Sequence, residues 1–339
     1  MKLIIVKNKN DYSFEKIDNF ISNQPNSNFF FSINTFLFYD SLDYFKPYYI
    51  LVENNKNEIR GLLFFYVTEE NGIFGIKNFF SRRCIIEGSP LIKKNNKDIL
   101  ELILNYLDKF LSKKVIYSEF RNFTDQKKYV DIYLKKKWIF KNHYNIILNI
   151  DDLINKKVKI SSTQKNHINR SIKNGAVIKE ANSIEEVTDF YKILDNLYVN
   201  VVKKPLPNLN FFLKLFDLKE FKFFLIEYQN KIIGGVLSPI HNNTIYEWYV
   251  CGLDRKYKNI FPSSLATYAP IEYAMNNNIK YYDFMGAGRP GDNYGVRYFK
   301  LKFGGTLYDF GRFEQVHKPI IFEISKLGLN ILNKFKFLK

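Results

Sequence analysis

The chain has 339 residues, of which 46% are hydrophobic and 17% aromatic, so it buries enough apolar surface to offset the entropy of ordering, which excludes a disordered protein. The length exceeds the usual size of one domain and predicts two domains with cores of their own. The formal net charge of +17 favours an anionic partner such as a nucleotide, tRNA or an acidic lipid headgroup.

The chain begins with a short apolar run, residues 3–6, which Lys7 and Lys9 interrupt before it could form the core of a signal peptide. No stretch of about 18 apolar residues follows that could cross a membrane. Cys84 and Cys251 lie far apart without neighbouring thiols, and the four histidines lack ligand spacing, which argues against a disulfide framework and against a metal site. We therefore expect a cytoplasmic protein that holds no metal, and we expect a monomer.

A pattern of strand, turn and strand occurs twice along the chain. Residues 48–53 and 59–65 are predicted strands joined by an asparagine-rich turn. Residues 223–228 and 232–237 repeat this arrangement around a turn at 229–231. The repeat predicts that the two halves of the chain share one structural unit.

Each hairpin is followed by an amphipathic helix, predicted over residues 98–111 and over Pro262–Asn276, and then by a strand that ends in an acid, Glu119 or Asp283. The remaining correspondences are residues 129–135 with 294–300, and closing strands near 144–148 and near 306–310. Two copies of one α/β unit fit this pattern better than one large sheet does. We predict an N-terminal domain over residues 1–152 and a C-terminal catalytic domain over 153–316, with 317–339 packing on the first.

Between the copies, residues 151–175 are polar and predict a linker that leads into a basic helix. Residues 161–164 supply N-cap candidates, and Asn174-Gly175 would end the helix. The C-terminal stretch 320–339 alternates apolar residues with lysines and predicts a packed amphipathic helix. Peripheral contact of this stretch with the inner membrane surface is the alternative.

Four segments carry a resemblance to a known family: residues 169–175, 261–265, 282–286 and 298–304. In this order and spacing they resemble the Fem family of aminoacyltransferases, within the GNAT acyltransferase superfamily, and the duplicated unit extends the likeness over nearly the whole chain. The resemblance implies an α/β fold of two tandem GNAT-like domains, each a mixed, mostly antiparallel sheet flanked by helices. It also implies transfer of an activated acyl group, usually an amino acid carried by tRNA, to an amine of a cell-wall precursor, although some relatives use acyl-CoA.

The turn before the second predicted helix bears on the acyl donor. Enzymes that bind acetyl-CoA present a glycine-rich turn there, because backbone N–H groups must approach the pyrophosphate closely. Residues 255–260 contain no glycine, and Lys258 and Ile260 would crowd a pyrophosphate. This departure favours aminoacyl-tRNA over acyl-CoA, while Arg255, Lys256 and Lys258 are candidates to contact the phosphates of either donor.

The resemblance also suggests the reacting groups. Aminolysis of an ester requires a deprotonated amine and stabilisation of the developing oxyanion. A Phe-Lys pair lies near the acyl-transfer channel in the Fem family, which implies that Lys300 stabilises the oxyanion and that Phe299 contacts the donor; a surface lysine on a helix is the alternative. Asp283 is the candidate to accept the amine proton or orient the acceptor, or else it caps the following turn. Glu119 ends the equivalent segment of the first half, so an acid at this position, including Asp283, could instead have a structural role.

The candidates for binding an anionic acceptor are basic residues in three places. Arg170 lies on the predicted linker helix, Lys203 and Lys204 lie in a region that often holds the acceptor in the resembled family, and Arg289 lies in a glycine-rich loop that predicts a mobile rim. A solvated helix face or an exposed connection is the alternative for each. Family members that act on nucleotide-linked precursors carry a basic residue on an early helix, but residues 28–43 contain no Lys or Arg. The sequence therefore does not identify the acceptor.

The sequence predicts an N-acyltransferase that moves an amino acid from aminoacyl-tRNA to an amine of a peptidoglycan-type or other cell-envelope precursor. One alternative is an acyl-CoA-dependent N-acyltransferase for an amino sugar or polysaccharide precursor. The other is a non-catalytic tRNA-binding or envelope-assembly protein, and an AT-rich genome could account for much of the basic charge. Beyond the acyl donor, we expect no cofactor.

Overall fold

The computed structural model describes residues 1–68 and 82–325. The chain forms two compact units, one of Met1–Asn142 with the segment from Phe310 onward, and one of His143–Asp309. Within the described residues each unit contains an eight-stranded mixed sheet with helices, which confirms the predicted α/β fold class.

In chain order the strands are β1 (Lys2–Val6), β2 (Phe45–Glu53), β3 (Ile59–Thr68), β4 (Arg83–Glu87), β5 (Leu91–Ile92), β6 (Tyr117–Arg121), β7 (Ile139–Lys141), β8 (Tyr144–Asn149), β9 (Val177–Glu180), β10 (Phe221–Tyr228), β11 (Lys231–His241), β12 (Thr244–Tyr246), β13 (Tyr249–Gly252), β14 (Tyr281–Gly286), β15 (Thr306–Asp309) and β16 (Arg312–Val316). The α-helices are α1 (Phe14–Ser22), α2 (Ile33–Asp40), α3 (Lys97–Leu111), α4 (Val130–Lys135), α5 (Ile150–Ile154), α6 (Ser162–Lys173), α7 (Ile184–Leu197), α8 (Leu209–Phe216), α9 (Pro262–Asn276) and α10 (Gly295–Leu301).

The sheet of the first unit has the order β1-β2-β3-β4-β6-β16-β7, with β5 paired to β3. Helices cover both of its faces, since on β2 the ring of Tyr49 stacks on Phe36 of α2 at 4.9 Å between centroids, while the next residue, Ile50, belongs to the core under α3. Helix α3 approaches β3 closely because Gly61 has no side chain, and a Cβ there would lie 2.5 Å from Ile99. The first unit is therefore a three-layer structure with an apolar core under α3.

The sheet of the second unit has the order β15-β8-β14-β12-β11-β10-β9, with β13 paired to β11. Of these pairs β12 and β14 are parallel, and the others are antiparallel. Successive residues of β11 point to helices on opposite faces, because Gly235 lies against Phe190 of α7 and Val236 enters the core that Leu265 of α9 shares. The second unit therefore also has helices on both sides of a sheet.

Sequence signals at helix ends are confirmed in α6 and α9. Helix α6 begins after Ser161, whose hydroxyl accepts a hydrogen bond from the Gln164 N–H, and ends before Gly175, which has φ +92°. Helix α9 has the predicted bounds and carries Pro262 at its first position, where no intrahelical N–H bond is lost. It packs against α6 and against β10, β11 and β13.

One of the two predicted closing strands was assigned to the wrong copy, whereas the one predicted near 306–310 is β15 of the second sheet. We expected residues 144–148 to close the first unit, but β8 lies between β14 and β15 in the second sheet, where Ile146 and Leu148 join its core. β16, a strand that was not predicted, lies between β6 and β7 although residues up to 316 were assigned to the C-terminal domain, and Phe313 is buried in the first core. The two units thus divide after Asn142 and again before Phe310, not at residues 152 and 316.

The described part of the C-terminal stretch begins a helix at residues 319–325. Phe322 stacks on Tyr117 of β6, with ring centroids 5.3 Å apart, so this part lies against the first unit. The remainder of the predicted C-terminal helix, 326–339, falls outside the described residues. Among the helices of the described ranges, none combines the length and the apolar character needed to cross a bilayer.

Candidate functional site

The second unit contains a place where its two parallel strands separate. β12 and β14 pair through Tyr246 and Asp283, and the N–H of Glu247 then donates to the Asp283 carbonyl at 2.9 Å. Beyond this point the chain enters β13, which pairs with β11. The pairing of β14 with β8 is interrupted between Asp283 and Gly286, and Met285 there has φ +58°. The backbone of β14 therefore leaves the regular ladder at the level where β12 ends.

Lys300 of α10 reaches this separation point. Its ammonium donates to the carbonyls of Phe284 and of Gly286, the latter at 3.3 Å, and lies 3.1 Å from a carboxylate oxygen of Glu247. The residue is only 7% exposed. A surface lysine on an amphipathic helix, the alternative considered from the sequence, does not describe Lys300.

Glu247 is a site residue that the sequence analysis missed. It is buried, and its second carboxylate oxygen accepts a hydrogen bond from the Tyr282 hydroxyl at 2.8 Å. Burial and the adjacent Glu247 carboxylate raise the pKa of Tyr282 well above its usual value, so this phenol stays a donor. An acid inside the otherwise apolar run from Thr244 to Gly252 is the signal that could have identified Glu247, because a charge in such a strand needs a buried partner.

Asp283 lies in the same cluster and is also buried. Burial raises its pKa to about 7, while the backbone N–H of Met285 and the charge of Lys300 oppose this rise and Glu247 adds to it. The Met285 N–H donates to an Asp283 carboxylate oxygen at 2.6 Å, which fixes the irregular turn of β14. The Asp283 carboxylate thus holds the backbone in place. Its pKa of about 7 also allows it to gain and lose a proton near neutral pH.

Arg297 orders the glycine-rich loop after β14 and was likewise not predicted. It is buried on α10, donates through Nε to the Ala287 carbonyl at 2.8 Å and through a second nitrogen to the Arg289 carbonyl, and lies 4.9 Å from the Tyr144 ring centroid. The predicted acceptor ligand Arg289 is exposed, and its N–H donates to Asp292. Loop and helix are therefore joined by a planar cation rather than by packing alone.

The predicted donor ligands of the 255–260 turn, Arg255, Lys256 and Lys258, are exposed. At the beginning of α9 the carboxylate of Asp254 accepts hydrogen bonds from the N–H of Ser263, at 3.2 Å, and from its hydroxyl. Helix N-termini favour negative charge, and here a carboxylate of the protein already supplies it.

Phe299, the other predicted donor contact, is half-buried. Its ring lies 5.4 Å from that of Phe303 and packs on the core of the second unit. Arg170 of α6 donates to the Asn259 side chain at 2.9 Å and lies 5.9 Å from the Phe261 ring, which joins α6 to the turn at residues 255–260. Arg170 thus contacts the 255–260 turn and the residue that follows it.

Lys203 and Lys204 follow a π-helical turn, Tyr198–Val202, and both are exposed. The ring of Tyr198 lies 6.2 Å from that of Tyr249 on β13. The two lysines therefore belong to a segment that adjoins the strand leaving the separation point.

The equivalent place in the first unit is organised differently. There β4 and β6 pair in parallel over five residues, up to Glu87 opposite Arg121. Arg121 contacts Glu87 at 2.8 Å and Glu119 at 3.3 Å, and Arg312 also binds Glu119. Although burial raises the pKa of Glu119, these two guanidinium groups lower it to about 2. Each of the two acids is thus matched by arginine, and the strand pair stays closed.

Comparison with known proteins finds a family match that lies mostly in the second unit. Residues 215–328 match the FemAB family. This match confirms the predicted Fem-type resemblance and, with it, the class of acyltransferases. A comparison with curated proteins finds no match. In the described residues, no group of three or more His, Cys, Asp or Glu is arranged to hold a metal ion.

Solved structures show the same tandem fold. The crystal structure of FemX is 13% identical and has a TM-score of 0.71, covering 96% of this chain and 99% of that one. The structure of L-PGS from Bacillus licheniformis is 13% identical with a TM-score of 0.56, covering 92% and 96%. A tandem GNAT protein from the clavulanic acid biosynthesis pathway is 8% identical with a TM-score of 0.58, covering 93% and 98%. These likenesses confirm the predicted pair of GNAT-like domains.

Proposed function

We propose that this Fem-type acyltransferase moves an amino acid from aminoacyl-tRNA to an amine of a peptidoglycan-type or other cell-envelope precursor. The observation that carries the proposal is the buried cluster of Glu247, Asp283 and Lys300 at the point where β12 and β14 separate. Where strand ends separate, their backbone groups are no longer paired with each other and can bind a substrate. Ionised groups buried beside them interact strongly with developing charge, because the surrounding medium has a low dielectric constant. The first unit carries arginine-matched acids at its equivalent place, which supports assigning the reaction to the second.

Asp283 is proposed to accept the proton that the attacking amine loses. The amine nitrogen bonds to the ester carbonyl carbon, the bond from that carbon to the 3′-terminal ribose oxygen of tRNA breaks, and the ribose oxygen leaves with the proton that Asp283 accepted from the amine. A carboxyl group with a pKa of about 7 is ionised in a substantial fraction of molecules at neutral pH and is a far stronger base than an ordinary aspartate.

Lys300 is proposed to stabilise the oxyanion of the tetrahedral intermediate. Two of its three ammonium protons are bound by the carbonyls of Phe284 and Gly286. The ammonium also forms an ion pair with a Glu247 carboxylate oxygen 3.1 Å away. A substrate oxygen that reaches the ammonium would share its remaining proton with Glu247, while the two carbonyls fix the ammonium in position.

The donor assignment is supported by the N-terminus of α9. A CoA pyrophosphate bound there would meet the carboxylate of Asp254, which already occupies the Ser263 N–H, and like charges at this distance repel. The exposed cations Arg255, Lys256 and Lys258 remain suited to the phosphates of a larger donor.

Incubation of the protein with tRNAs charged with labelled amino acids and with envelope precursors tests the proposal. Transfer should exceed spontaneous hydrolysis for at least one tRNA, and Lys300→Met should abolish it. Lys302→Met, an exposed lysine two residues along, is the matched control and should leave the rate unchanged. Heat released on titration with acetyl-CoA or longer acyl-CoAs, without transfer from any tRNA, would favour the acyl-CoA alternative instead.

A further inference from the structure

The connection between α7 and α8 exposes apolar side chains beside positive charge. Val199, Val201 and Val202 of the π-helical turn are 61%, 56% and 37% exposed. Lys203 follows directly, with φ +56°, and then Lys204. Exposed single valines are ordinary, but three within four residues followed by two lysines have the composition of a segment that lies at a membrane interface.

This segment, residues 198–204, is called the valine turn below. Tyr198 anchors it, because its half-buried ring lies 6.2 Å from that of Tyr249 on β13 and near the phenol of Tyr294. Tyr294 directly precedes α10, the helix that carries Lys300. The valine turn therefore lies beside the elements that form the proposed reaction site.

We propose that the valine turn is a docking surface for an anionic lipid bilayer. The valine side chains enter the boundary between headgroups and acyl chains, and the lysines contact acidic headgroups, which complement both their charge and the net charge of +17. Docking by this turn brings the separation point of β12 and β14 near the bilayer surface. This last consequence rests on the proposed function, whereas the membrane contact itself does not.

A bilayer fits the valine turn better than a second protein does. A stable protein interface buries about 800 Å² on each partner, and it usually centres on aromatic or arginine side chains. Three valines followed by two lysines supply neither the area nor the anchors. Binding to a bilayer requires neither a large buried area nor such anchors, since each exposed apolar group and each lysine adds its own increment to the partition free energy.

Sedimentation of the full chain with vesicles tests this proposal. Vesicles of phosphatidylcholine with one-third phosphatidylglycerol should bind the protein, vesicles of phosphatidylcholine alone should bind it much less, and added salt should weaken the binding. The triple variant Val199→Ser, Val201→Ser and Val202→Ser should lower the partition coefficient roughly tenfold. Lys203→Gln and Lys204→Gln should each lower it roughly fivefold.

The matched control replaces other exposed aliphatic residues of the same unit, Val177→Ser with Ile184→Ser, which are 54% and 56% exposed. This control should bind vesicles like the wild type. The proposal is overturned if the wild type does not bind anionic vesicles, or if the triple variant binds them as well as the control does. It is also overturned if light scattering shows the wild type to be an oligomer that the triple variant dissociates, because a second copy would then cover the turn.

An acyl-transfer assay with a soluble amine acceptor separates this proposal from the proposed function. The triple variant should transfer to that acceptor at the wild-type rate, because its substitutions lie outside the cluster of Glu247, Asp283 and Lys300. A protein that binds anionic vesicles through the valine turn but transfers no amino acid from any tRNA would support the docking surface and contradict the proposed function.

Discussion

A carboxylate oxygen of Glu247 lies 3.1 Å from the ammonium nitrogen of Lys300, and both side chains are buried in the second unit. Buried ions are tolerated when each compensates the other, and the removal of one leaves the second uncompensated in a medium of low dielectric constant. The pair therefore links the stability of the second unit to the group proposed to stabilise the oxyanion.

Lys300→Met should reduce the free energy of unfolding by about 3 kcal/mol, because Glu247 would stay buried without its cation. Adding Glu247→Gln should restore most of this loss, since both charges are then absent, yet transfer should remain abolished. Urea denaturation and the transfer assay measure the two effects on the same samples. A double variant that regains the wild-type transfer rate would show that Lys300 acts only through stability.

The transfer rate should rise with pH through about 7 as Asp283 loses its proton and becomes a base. Asp283→Asn should remove this dependence along with most of the rate. A rate profile that is flat between about pH 6 and 8 in the wild type would contradict the role of Asp283 as a base.

The stability of the folded protein should also depend on Asp283. Because burial raises its pKa above the ordinary aspartate value of 3.8, the folded state binds the proton more tightly than the unfolded chain. The stabilisation that comes from this tighter proton binding is fully present below pH 3.8 and is lost as the pH rises towards 7, where Asp283 of the folded protein loses its proton. Asp283→Asn should therefore show a smaller fall in unfolding free energy over this range. Glu119→Gln serves as the comparison because the pKa of Glu119 is lowered to about 2, so its contribution is lost only on acidification.

Asp254→Ala should destabilise the second unit by about 1–2 kcal/mol, because the Ser263 N–H and hydroxyl lose a charged acceptor. Thermal unfolding measures this change. Asp292→Ala, in the exposed loop after β14, is the comparison variant and should have a smaller effect. Equal shifts for the two variants would mean that the Asp254 contact contributes little.

Arg297→Lys should loosen the loop between Gly286 and Tyr294, since a lysine keeps the charge but loses the planar donors that bind the carbonyls of Ala287 and Arg289. We expect amide hydrogens of this loop to exchange faster and the KM for the acceptor to rise more than kcat falls. Tyr298→Ser, an exposed change on the same helix, should leave exchange in the loop unchanged. Unaltered exchange in Arg297→Lys would show that the loop is held by other contacts.

Local signals predicted the helices well. The caps of α6, the periodicity of α3 and the first-position proline of α9 act within a few residues, so the sequence contains them in full. Asp283 was found because it ends an apolar run, and Lys300 because it belongs to a family segment. Both features are visible in a short stretch of chain.

Contacts between distant segments were not predictable in the same way. β8 has the expected strand pattern, but a pattern of apolar residues does not specify which sheet accepts a strand, and β16 was not predicted at all. Glu247 and Arg297 have partners 53 and 10 residues away in sequence, at Lys300 and Ala287, and only the folded chain brings them together. Buried charges of this kind are recognised once the partner is known.

The position of β16 in the first sheet has a consequence for synthesis on the ribosome. All eight strands of the second sheet, β8 to β15, lie in one continuous stretch, whereas the first sheet needs β16, which inserts between β6 and β7. The N-terminal unit begins to emerge first but has its full set of strands last, after the C-terminal unit has received its own. A fragment of residues 143–309 therefore contains a complete sheet, and a fragment of residues 1–142 leaves β7 without its neighbour.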